Sequence, residues 1–407
     1  MPLPDSSAPQ SGASLPAGAP PPHRPARPLV APVIVGLSVL ATLGAHYQRQ
    51  WVFDHLVATN LDVWLGYEWW TLLTSAFVHG DVPHLLFNGY WVWLLGRFVE
   101  PDIRPLGFAG LFAYTAWLGS AAEFAVTGHL GIGLSGVVYG IVGYMLEHRR
   151  DRPVYAAILN RQNIAVLLGW LVLCFPLTYA GVMNVANYAH LGGLVAGLLL
   201  GLATRQGARR STARVAAAAL LIASFVPLVH APWLEEWSFA EVNRALERKD
   251  HDAALSALAT IRRAHPQHPS ARQVEVLLRI ERGHYRIARE LLVDWLRWQD
   301  DAAVRNSLAW LLATCPDDTI RDGPRALEHA QRAAKDTGSR NAAILDTLAA
   351  AHAEAGDFPA AVQHAEQAIA LGDEAHGAGL REHLAAFRAG RAWREPGPPK
   401  DVSPAGQ

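Results

Sequence analysis

Charged residues are scarce in this sequence. Asp, Glu, Lys and Arg make up 17% of the 407 residues, whereas hydrophobic residues make up 51%. The formal net charge of -1 gives no electrostatic basis for binding nucleic acid. The scarcity is also uneven, because long apolar runs fill the chain up to about Pro232 and an Ala-rich, charged, helix-periodic sequence follows. The composition therefore predicts a membrane-embedded half followed by a helical half of a different kind.

Cysteine is rarer still. Cys174 and Cys315 lie in different halves of the chain, and Cys174 sits inside an apolar run. This placement argues against a disulfide framework, and no Cys/His spacing typical of a zinc site is present. The His-Glu-x-x-His pattern of metalloproteases is also absent from the sequence. We therefore expect no metal and no other cofactor.

The apolar runs are long enough to cross a bilayer, which requires about 20 mostly apolar residues. Arg24 and Arg27 precede the first run and could mimic a signal peptide, but many runs follow, so we predict a retained first span. Residues 48–83, rich in Trp and Tyr, are predicted to be a re-entrant or interfacial segment, with the tryptophans of 51–70 as interface anchors. The predicted spans are residues 29–47, 84–100, 106–126, 133–147, 163–180, 186–204 and 212–230.

Arginines in the short loops predict the orientation of these spans. They cluster within 149–161 and 205–214, whereas the loops near 128–132 and 181–186 contain neither Lys nor Arg. We therefore predict a multi-pass protein of the plasma (inner) membrane with a cytoplasmic N-terminus. A seventh span would place residues 235–407 outside the cytoplasm, unless the Ala-rich run lies along the interface instead.

The predicted domain order follows from these segments. Tails rich in Pro and Ala are expected to be disordered, because they cannot bury a core. The domains are a tail at 1–28, a six-helix membrane domain at 29–204, a basic linker with the seventh helix at 205–234, a helical-repeat domain at 235–395 and a tail at 396–407.

The last third of the chain shows a repeat. His251 with Ala254 recurs as Tyr285 with Ala288 after 34 residues, which is the tetratricopeptide period. Residues 345–371 resemble a tetratricopeptide repeat. Stacked helix pairs of this kind leave a concave surface, so we expect a protein partner for this domain.

Polar side chains recur near the starts of alternate spans. His84 and Asn88 lie four residues apart, on one face of span two. Ser135 opens span four and His190 opens span six. Because these three spans run in the same direction, their polar groups lie at similar depth near the outer surface. A nucleophile and a general base are thereby predicted to meet.

Small residues on spans four and six would let the two helices touch. His84 and Asn88, together with the Ser135 backbone N–H, could then donate to a developing oxyanion. No acidic residue opens spans two or six unless Asp81 folds inward, so a dyad is favoured over a triad. The glycines that flank the polar residues are Gly133, Gly136, Gly193 and Gly197.

Three motifs together resemble the rhomboid family of intramembrane serine proteases. They are Gly133-Leu-Ser135-Gly136 with Tyr139, His84-x-x-x-Asn88, and Ala189-His190-x-x-Gly193-x-x-x-Gly197. The resemblance covers roughly residues 30–204 and implies an all-α membrane helix bundle with six plus one spans. It also implies endopeptidase activity on the transmembrane segments of single-span or polytopic membrane proteins.

The resemblance assigns expected roles to individual residues. Ser135 would be the nucleophile, His190 the general base and Tyr139 a ring stacked on His190. His84 and Asn88 would line the oxyanion hole. The resemblance further places His79 near the water path and makes Glu100 a structural residue, whereas Thr71 stands where the family usually has an arginine.

Other interpretations of the same residues remain open. Ser135 could only pack helices together, His79 could be a water-exposed interface residue, and Glu123 is expected to reach solvent from the outer end of span three. The main alternative function is a catalytically inactive rhomboid-like binder of transmembrane clients.

Overall fold

A computed structural model of the chain describes residues 27–372 and 377–398. Within these ranges the protein is helical and contains no β-strand, which confirms the all-α prediction. The chain divides into two compact units, Met1–Trp237 and Ser238–Gln407. The predicted disordered tails at 1–28 and 396–407 lie mostly outside the described residues.

Four helical segments of the first unit are long and apolar enough to cross a membrane: Val30–Tyr47, Arg161–Tyr179, Asn187–Thr204 and Arg210–Val229. The helices of this unit are α1 (Val30–Tyr47), α2 (Arg49–Leu56), α3 (Asn60–Leu65), α4 (Thr71–Thr74), α5 (Val82–Thr127), α6 (Ser135–His148), α7 (Pro153–Ile158), α8 (Arg161–Tyr179), α9 (Asn187–Thr204), α10 (Arg210–Ala223) and α11 (Val226–Val229). Large exposed side chains on α1 and α8, such as Leu40 and Val172, are apolar and suited to lipid.

The two predicted spans at 84–100 and 106–126 form the arms of one bent helix, α5. The bend lies at Arg104, whose φ of 67° and ψ of 159° are not helical. Pro105 contributes to the position of the bend, because a proline disfavours the helical conformation of the residue before it. The first arm of α5 covers 82–103 and the second arm covers 105–127.

Helix α6 lies at the centre of the membrane unit. Every residue from Gly136 to Met145 is buried, although the helix has only 14 residues and is about 21 Å long at 1.5 Å per residue. It packs against α5 and α9. The predicted span began at 133, but the helix begins at Ser135 because Gly133 has a left-handed φ of 104°.

Glycines allow the backbones of α6 and α9 to touch. A Cβ atom at Gly193 would overlap the carbonyl oxygen of Gly136, and one at Gly197 would overlap that of Gly140. Close approach at small residues is a general means of helix association in membranes. The predicted contact between these two helices is therefore present in the structure.

Glu100 anchors the start of α1. Its side chain is 1% exposed, and its carboxyl oxygens accept hydrogen bonds from the backbone N–H groups of Leu29 (2.6 Å), Val30 (2.9 Å) and Ala31 (2.9 Å). The first N–H groups of a helix have no partner within the helix. A side chain from the first arm of α5 supplies that partner here.

The aromatic segment at 48–83 folds into short helices that pack against the bundle. Trp64 is 1% exposed, and its Nε1 donates to the Pro227 carbonyl oxygen at 2.9 Å. The expectation that the tryptophans of this segment anchor it at the membrane interface is therefore wrong for Trp64, whereas Trp51 and Trp70 are exposed. Thr71, which replaces the family arginine, is buried, and its hydroxyl donates to the Glu68 carbonyl.

The second unit is built from successive helices with small residues at their contacts. Its helices are α12 (Glu235–Glu247), which begins in the first unit, α13 (His251–Ala264), α14 (Pro269–Glu281), α15 (Tyr285–Trp298), α16 (Ala302–Thr314), α17 (Gly323–Asp336), α18 (Ala342–Glu354), α19 (Phe358–Leu371) and α20 (Gly377–Arg388). Several begin with an Asp or Asn cap; for example, the Asp357 carboxyl accepts from the N–H of Ala360. Buried alanines such as Ala330 and Ala365 let neighbouring helices approach.

After α20 the chain continues through residues 391–398 without regular secondary structure. The Glu395 N–H donates to the Thr314 carbonyl at 2.9 Å, and its side chain accepts from the Trp310 Nε1 at 3.1 Å. Arg394 forms an ion pair with Glu354 at 2.6 Å. The predicted boundary at 395 therefore falls inside a segment that packs on α16 and α18.

The contact between α6 and α9 predicts opposite effects for two glycine substitutions. Gly197→Ala forces the helices apart, and overpacking of this kind costs typically ~1–3 kcal/mol. Gly169→Ala on α8 has nothing within 4 Å of the added carbon and should gain roughly 0.5–1 kcal/mol from helix propensity. Thermal unfolding in detergent should therefore show a lower midpoint for Gly197→Ala only. Equal midpoints for the two variants would contradict this account of the contact.

Candidate active site

Ser135 and His190 meet as the sequence predicts. The His190 Nε2 lies 2.8 Å from the Ser135 Oγ, and His190 is 3% exposed. If the serine donates to Nε2, the ring proton of the neutral imidazole resides on Nδ1. Nδ1 has no hydrogen-bond partner among the residues that the structure describes. The arrangement is thus a pair, with no third group attached to the imidazole in that part of the chain.

Three helices converge on the residue before His190. A Cβ atom at Gly119 of α5 would lie 3.0 Å from the Ala189 carbonyl oxygen, and one at Gly136 of α6 would lie 3.1 Å from it. Both glycines therefore leave room for the Ala189 carbonyl. This close packing, with Gly193 and Gly197 below it, holds the imidazole at the depth of Ser135.

Tyr139 supports the imidazole from α6. The ring centroids of Tyr139 and His190 are 5.0 Å apart, with 34° between the planes. The contact is tilted rather than parallel, as offset aromatic pairs commonly are. The Tyr139 hydroxyl donates to the Leu167 carbonyl of α8 at 2.8 Å. One side chain thus links α6, α8 and the His190 ring.

Two histidines pack against the loop that leads to Ser135. A Cβ atom at Gly133 would lie 2.8 Å from the His84 ring. The rings of His84 and His79 are 4.9 Å apart and steeply inclined to each other, and the Leu134 N–H lies 3.3 Å from His79 Nε2. His79 is 3% exposed, so the alternative of a water-exposed residue is wrong. Glycine is required at position 133 by both its left-handed φ and the nearby ring.

The predicted donors lie on the first arm of α5. Asn88 is 2% exposed, and its Nδ2 has no hydrogen-bond partner within the described ranges. Asp81 is exposed and caps α5 by accepting from the His84 backbone N–H at 2.7 Å. Asp81 therefore does not turn inward, and the Asn88 amide remains available as a donor.

A small cavity lies beside Ser135. Its volume is about 10 Å³, roughly the space of one water molecule. Ser120, Gly133 and Ala186 are among the residues that line it. Among the described residues, no group of three or more His, Cys, Asp and Glu side chains could hold a metal ion.

Glu123 was not predicted to belong to this site. It was expected to reach solvent, but it is 8% exposed and turns inward. Its Oε2 accepts from the N–H groups of Tyr188 (2.8 Å) and Ala189 (3.1 Å) in the first turn of α9. An acidic residue in an apolar span without a basic neighbour needs hydrogen-bond donors. That requirement was a usable signal, because the start of a neighbouring helix offers unpaired N–H groups.

Comparison with known proteins covers this site. Residues 66–207 match the model of the rhomboid domain. All the residues of the site described above lie within this matched range. The chain is 33% identical over 181 residues to the proteins named rhomboid protease GlpG of Salmonella paratyphi A, Salmonella newport and Salmonella heidelberg.

Each alignment covers 44% of this chain and 62% of the relative. The chain thus spans less than two thirds of the length of these relatives. The domain match and the relatives together support the rhomboid family. The matched range ends at residue 207, before the second unit begins, so the domain match says nothing about α13–α20.

Proposed function

We propose that this protein is an intramembrane serine endopeptidase. Its substrates are the transmembrane segments of single-span or polytopic membrane proteins, cleaved in or near their outer part. The observation that carries the proposal is the 2.8 Å contact between Ser135 Oγ and His190 Nε2 inside a rhomboid domain. Its membrane helices are apolar enough to bring the protein and a membrane substrate together in the bilayer.

In the first half of the reaction, the Ser135 hydroxyl attacks the scissile carbonyl carbon. His190 Nε2 takes the hydroxyl proton and then gives it to the leaving amine, which leaves an acyl ester on Ser135. In the second half, a water molecule attacks the ester carbon while His190 Nε2 takes a proton from it. The bond from the acyl carbon to Ser135 Oγ then breaks, His190 returns the proton to Oγ, and the carboxylic acid product leaves. General-base assistance of this kind typically contributes about 100- to 10,000-fold.

Three donors are suited to the oxyanion that forms on the attacked carbonyl. The backbone N–H of Ser135 lies in the first turn of α6, where helix N–H groups have no intrahelical partner. The Asn88 amide is unpaired, and the His84 ring faces the loop before Ser135. Loss of one oxyanion donor typically costs ~3–4 kcal/mol of transition-state stabilisation.

Helix α8 is the element best suited to admit a substrate. Only three of its residues, Leu167, Leu171 and Cys174, are buried. Side-chain hydrogen bonds join it to α6 and α9: one from Tyr139 to Leu167, one from Asn187 Nδ2 to Thr178 Oγ1 at 2.9 Å, and one between the Tyr179 and Tyr188 side chains. Because α8 buries few side chains, moving it away from the bundle should cost little free energy. We therefore propose that substrates enter beside α8.

The alternative is a catalytically inactive binder of transmembrane clients. A binder requires neither a serine nor a histidine at this depth. Both residues are present here and in hydrogen-bond contact, which favours the enzyme.

Cleavage of a single-span substrate in proteoliposomes tests the enzyme. Wild type should give product, and Ser135→Ala and His190→Ala should lose at least ~100-fold of the rate, because each removes one partner of the proton transfer. Ser38→Ala, which removes a buried serine of α1, is the matched control and should cleave normally. Equal cleavage by wild type and Ser135→Ala would refute the mechanism. With no cleavage by any form, failure of a fluorophosphonate probe to label Ser135 would favour the binder.

We further propose that the second unit is a tetratricopeptide-like domain that binds a protein. Its successive helices and the 34-residue spacing support this assignment. A cavity of about 640 Å³ between α15, α16 and α17 could hold part of a partner. Its lining includes basic, acidic and apolar side chains, among them Arg289, Arg297, Glu290, Asp294 and Leu308. A partner could therefore form ion pairs of either sign next to an apolar contact.

Removal of residues 238–407 should change substrate choice and leave the chemistry intact. Cleavage of some membrane substrates should fall relative to others, because selection by a bound partner is lost, whereas probe labelling of Ser135 should match wild type. Competition between paired substrates in the same vesicles measures the ratio. An unchanged ratio for every pair would rule out a role in selection.

We also propose that the protein lies in the plasma (inner) membrane with a cytoplasmic N-terminus and the second unit on the opposite side. The arginine distribution supports this orientation, and Arg210–Val229 is long and apolar enough to carry the chain across. An alkaline phosphatase fused after Gln407 should then be active in a bacterial host, since the enzyme matures only outside the cytoplasm. A fluorescent fusion at the same point that matures in the cytoplasm would reverse the assignment.

A further inference from the structure

We propose that Glu123 is a positioning residue that sets the register of α9 and thereby aligns His190 with Ser135. The proposal rests on the function proposed above, because it assigns His190 the part of general base. Glu123 touches neither reacting atom. It acts through the backbone of the first turn of α9.

The hydrogen bonds of that first turn can be accounted for group by group. The Asn187 N–H donates to the Val185 carbonyl, and the His190 N–H donates to the Ala186 carbonyl as the first bond of the helix. The two groups between them, the N–H of Tyr188 and of Ala189, both donate to Glu123 Oε2. Glu123 is therefore the partner of both groups that the helix itself leaves unpaired.

The local sequence supplies no substitute for this cap. The residue at the cap position is Ala186, whose methyl group cannot accept a hydrogen bond. Asparagine follows at the first helical position, but its Nδ2 donates to Thr178 Oγ1, and its Oδ1 accepts no hydrogen bond from α9 within the described residues. Without Glu123, the buried N–H of Ala189 and the partly buried N–H of Tyr188 would both be left unpaired, which destabilises the first turn.

The second arm of α5 fixes where the carboxyl group stands. A Cβ atom at Gly192 of α9 would lie 2.7 Å from Ala122 Cβ and 2.9 Å from the Leu118 carbonyl oxygen. The two helices therefore touch along the stretch that ends at Glu123. The glycine contacts hold α9 along most of its length, and the two directed hydrogen bonds add a fixed point at its first turn, next to His190.

Glu123 also lies beside the chain that leads to Ser135. A Cβ atom at Gly131 would lie 3.8 Å from Glu123 Cγ and 2.6 Å from Ala186 Cβ. The loop before α6 and the start of α9 therefore meet next to one side chain. A shift of the Glu123 side chain would therefore change the distance between Ser135 and His190. An error of about 1 Å in the position of a reacting group can cost about 100-fold in rate.

The hydrogen-bond pattern predicts which replacements are tolerated. Both N–H groups use the same oxygen, Oε2, so the single carbonyl oxygen of a glutamine can accept both. Leucine has a similar size but offers no acceptor. Glu123→Gln should therefore rescue what Glu123→Leu loses, and simple loss of bulk would not separate the two variants.

The experiment compares these variants in proteoliposomes, with rates expressed per folded enzyme. Glu123→Leu should lower kcat by roughly 10- to 100-fold with little change in KM, because the proton transfer is misaligned while substrate binding is retained. Glu123→Gln should stay close to wild type. The matched control is Glu100→Gln, which weakens the cap of α1 and should lower the unfolding temperature without a selective loss of kcat.

A second readout does not depend on proteolysis. Hydrogen exchange of the backbone amides in residues 186–192, measured by mass spectrometry in nanodiscs, should speed up in Glu123→Leu and remain at the wild-type rate in Glu123→Gln and Glu100→Gln. Unchanged exchange in Glu123→Leu would overturn the proposal whether or not the protein is a protease. Faster exchange with an undiminished kcat would also overturn it. Absence of cleavage by wild type would instead contradict the proposed protease function. In that case the hydrogen-exchange rates would still show whether Glu123 holds the first turn of α9.

Discussion

Backbone contact between α6 and α9 is the constraint on which the membrane unit depends. The helices come together only because Gly193 and Gly197 present no side chain to the carbonyl groups of α6. The hydrophobic effect contributes little to helix association within lipid, so van der Waals contacts between closely packed helices have to stabilise it. The same contact sets the depth of Ser135 against His190. The stability of the membrane unit and the alignment of Ser135 with His190 therefore share one set of van der Waals contacts.

A second constraint is the pairing of helix ends inside an apolar unit. Helix α5 carries a carboxyl group for each of two neighbours: Glu100 for the first turn of α1 and Glu123 for the first turn of α9. Neither neighbour has a side-chain cap of its own at that end. In lipid, unpaired backbone groups are costly, so each carboxyl group replaces what a polar cap residue would provide in water. The bent helix thereby joins three parts of the bundle that packing alone would hold less specifically.

Much of this arrangement could be predicted from local sequence patterns. The depths of Ser135 and His190 follow from alternating spans, and their contact follows from the glycines at helical spacing. The partner of Glu123 could not be predicted, because it lies 65 residues further along the chain and is a backbone group with no sequence signature. Trp64 was misjudged for a similar reason, since an aromatic residue in an interfacial segment looks the same whether it faces lipid or, as here, the Pro227 carbonyl. Sequence patterns say least about which distant residue a single side chain contacts.

The hydrogen bond from the Tyr139 hydroxyl to the Leu167 carbonyl opposes movement of α8 away from the bundle. If α8 moves aside, the Tyr139 hydroxyl loses its acceptor, and a buried unpaired hydroxyl costs about 1–3 kcal/mol. The ring of Tyr139 also packs on His190, so one side chain contacts both α8 and the imidazole. A membrane segment that enters by the route proposed above would break this hydrogen bond, and its entry would cost less if it offered the tyrosine hydroxyl a new acceptor.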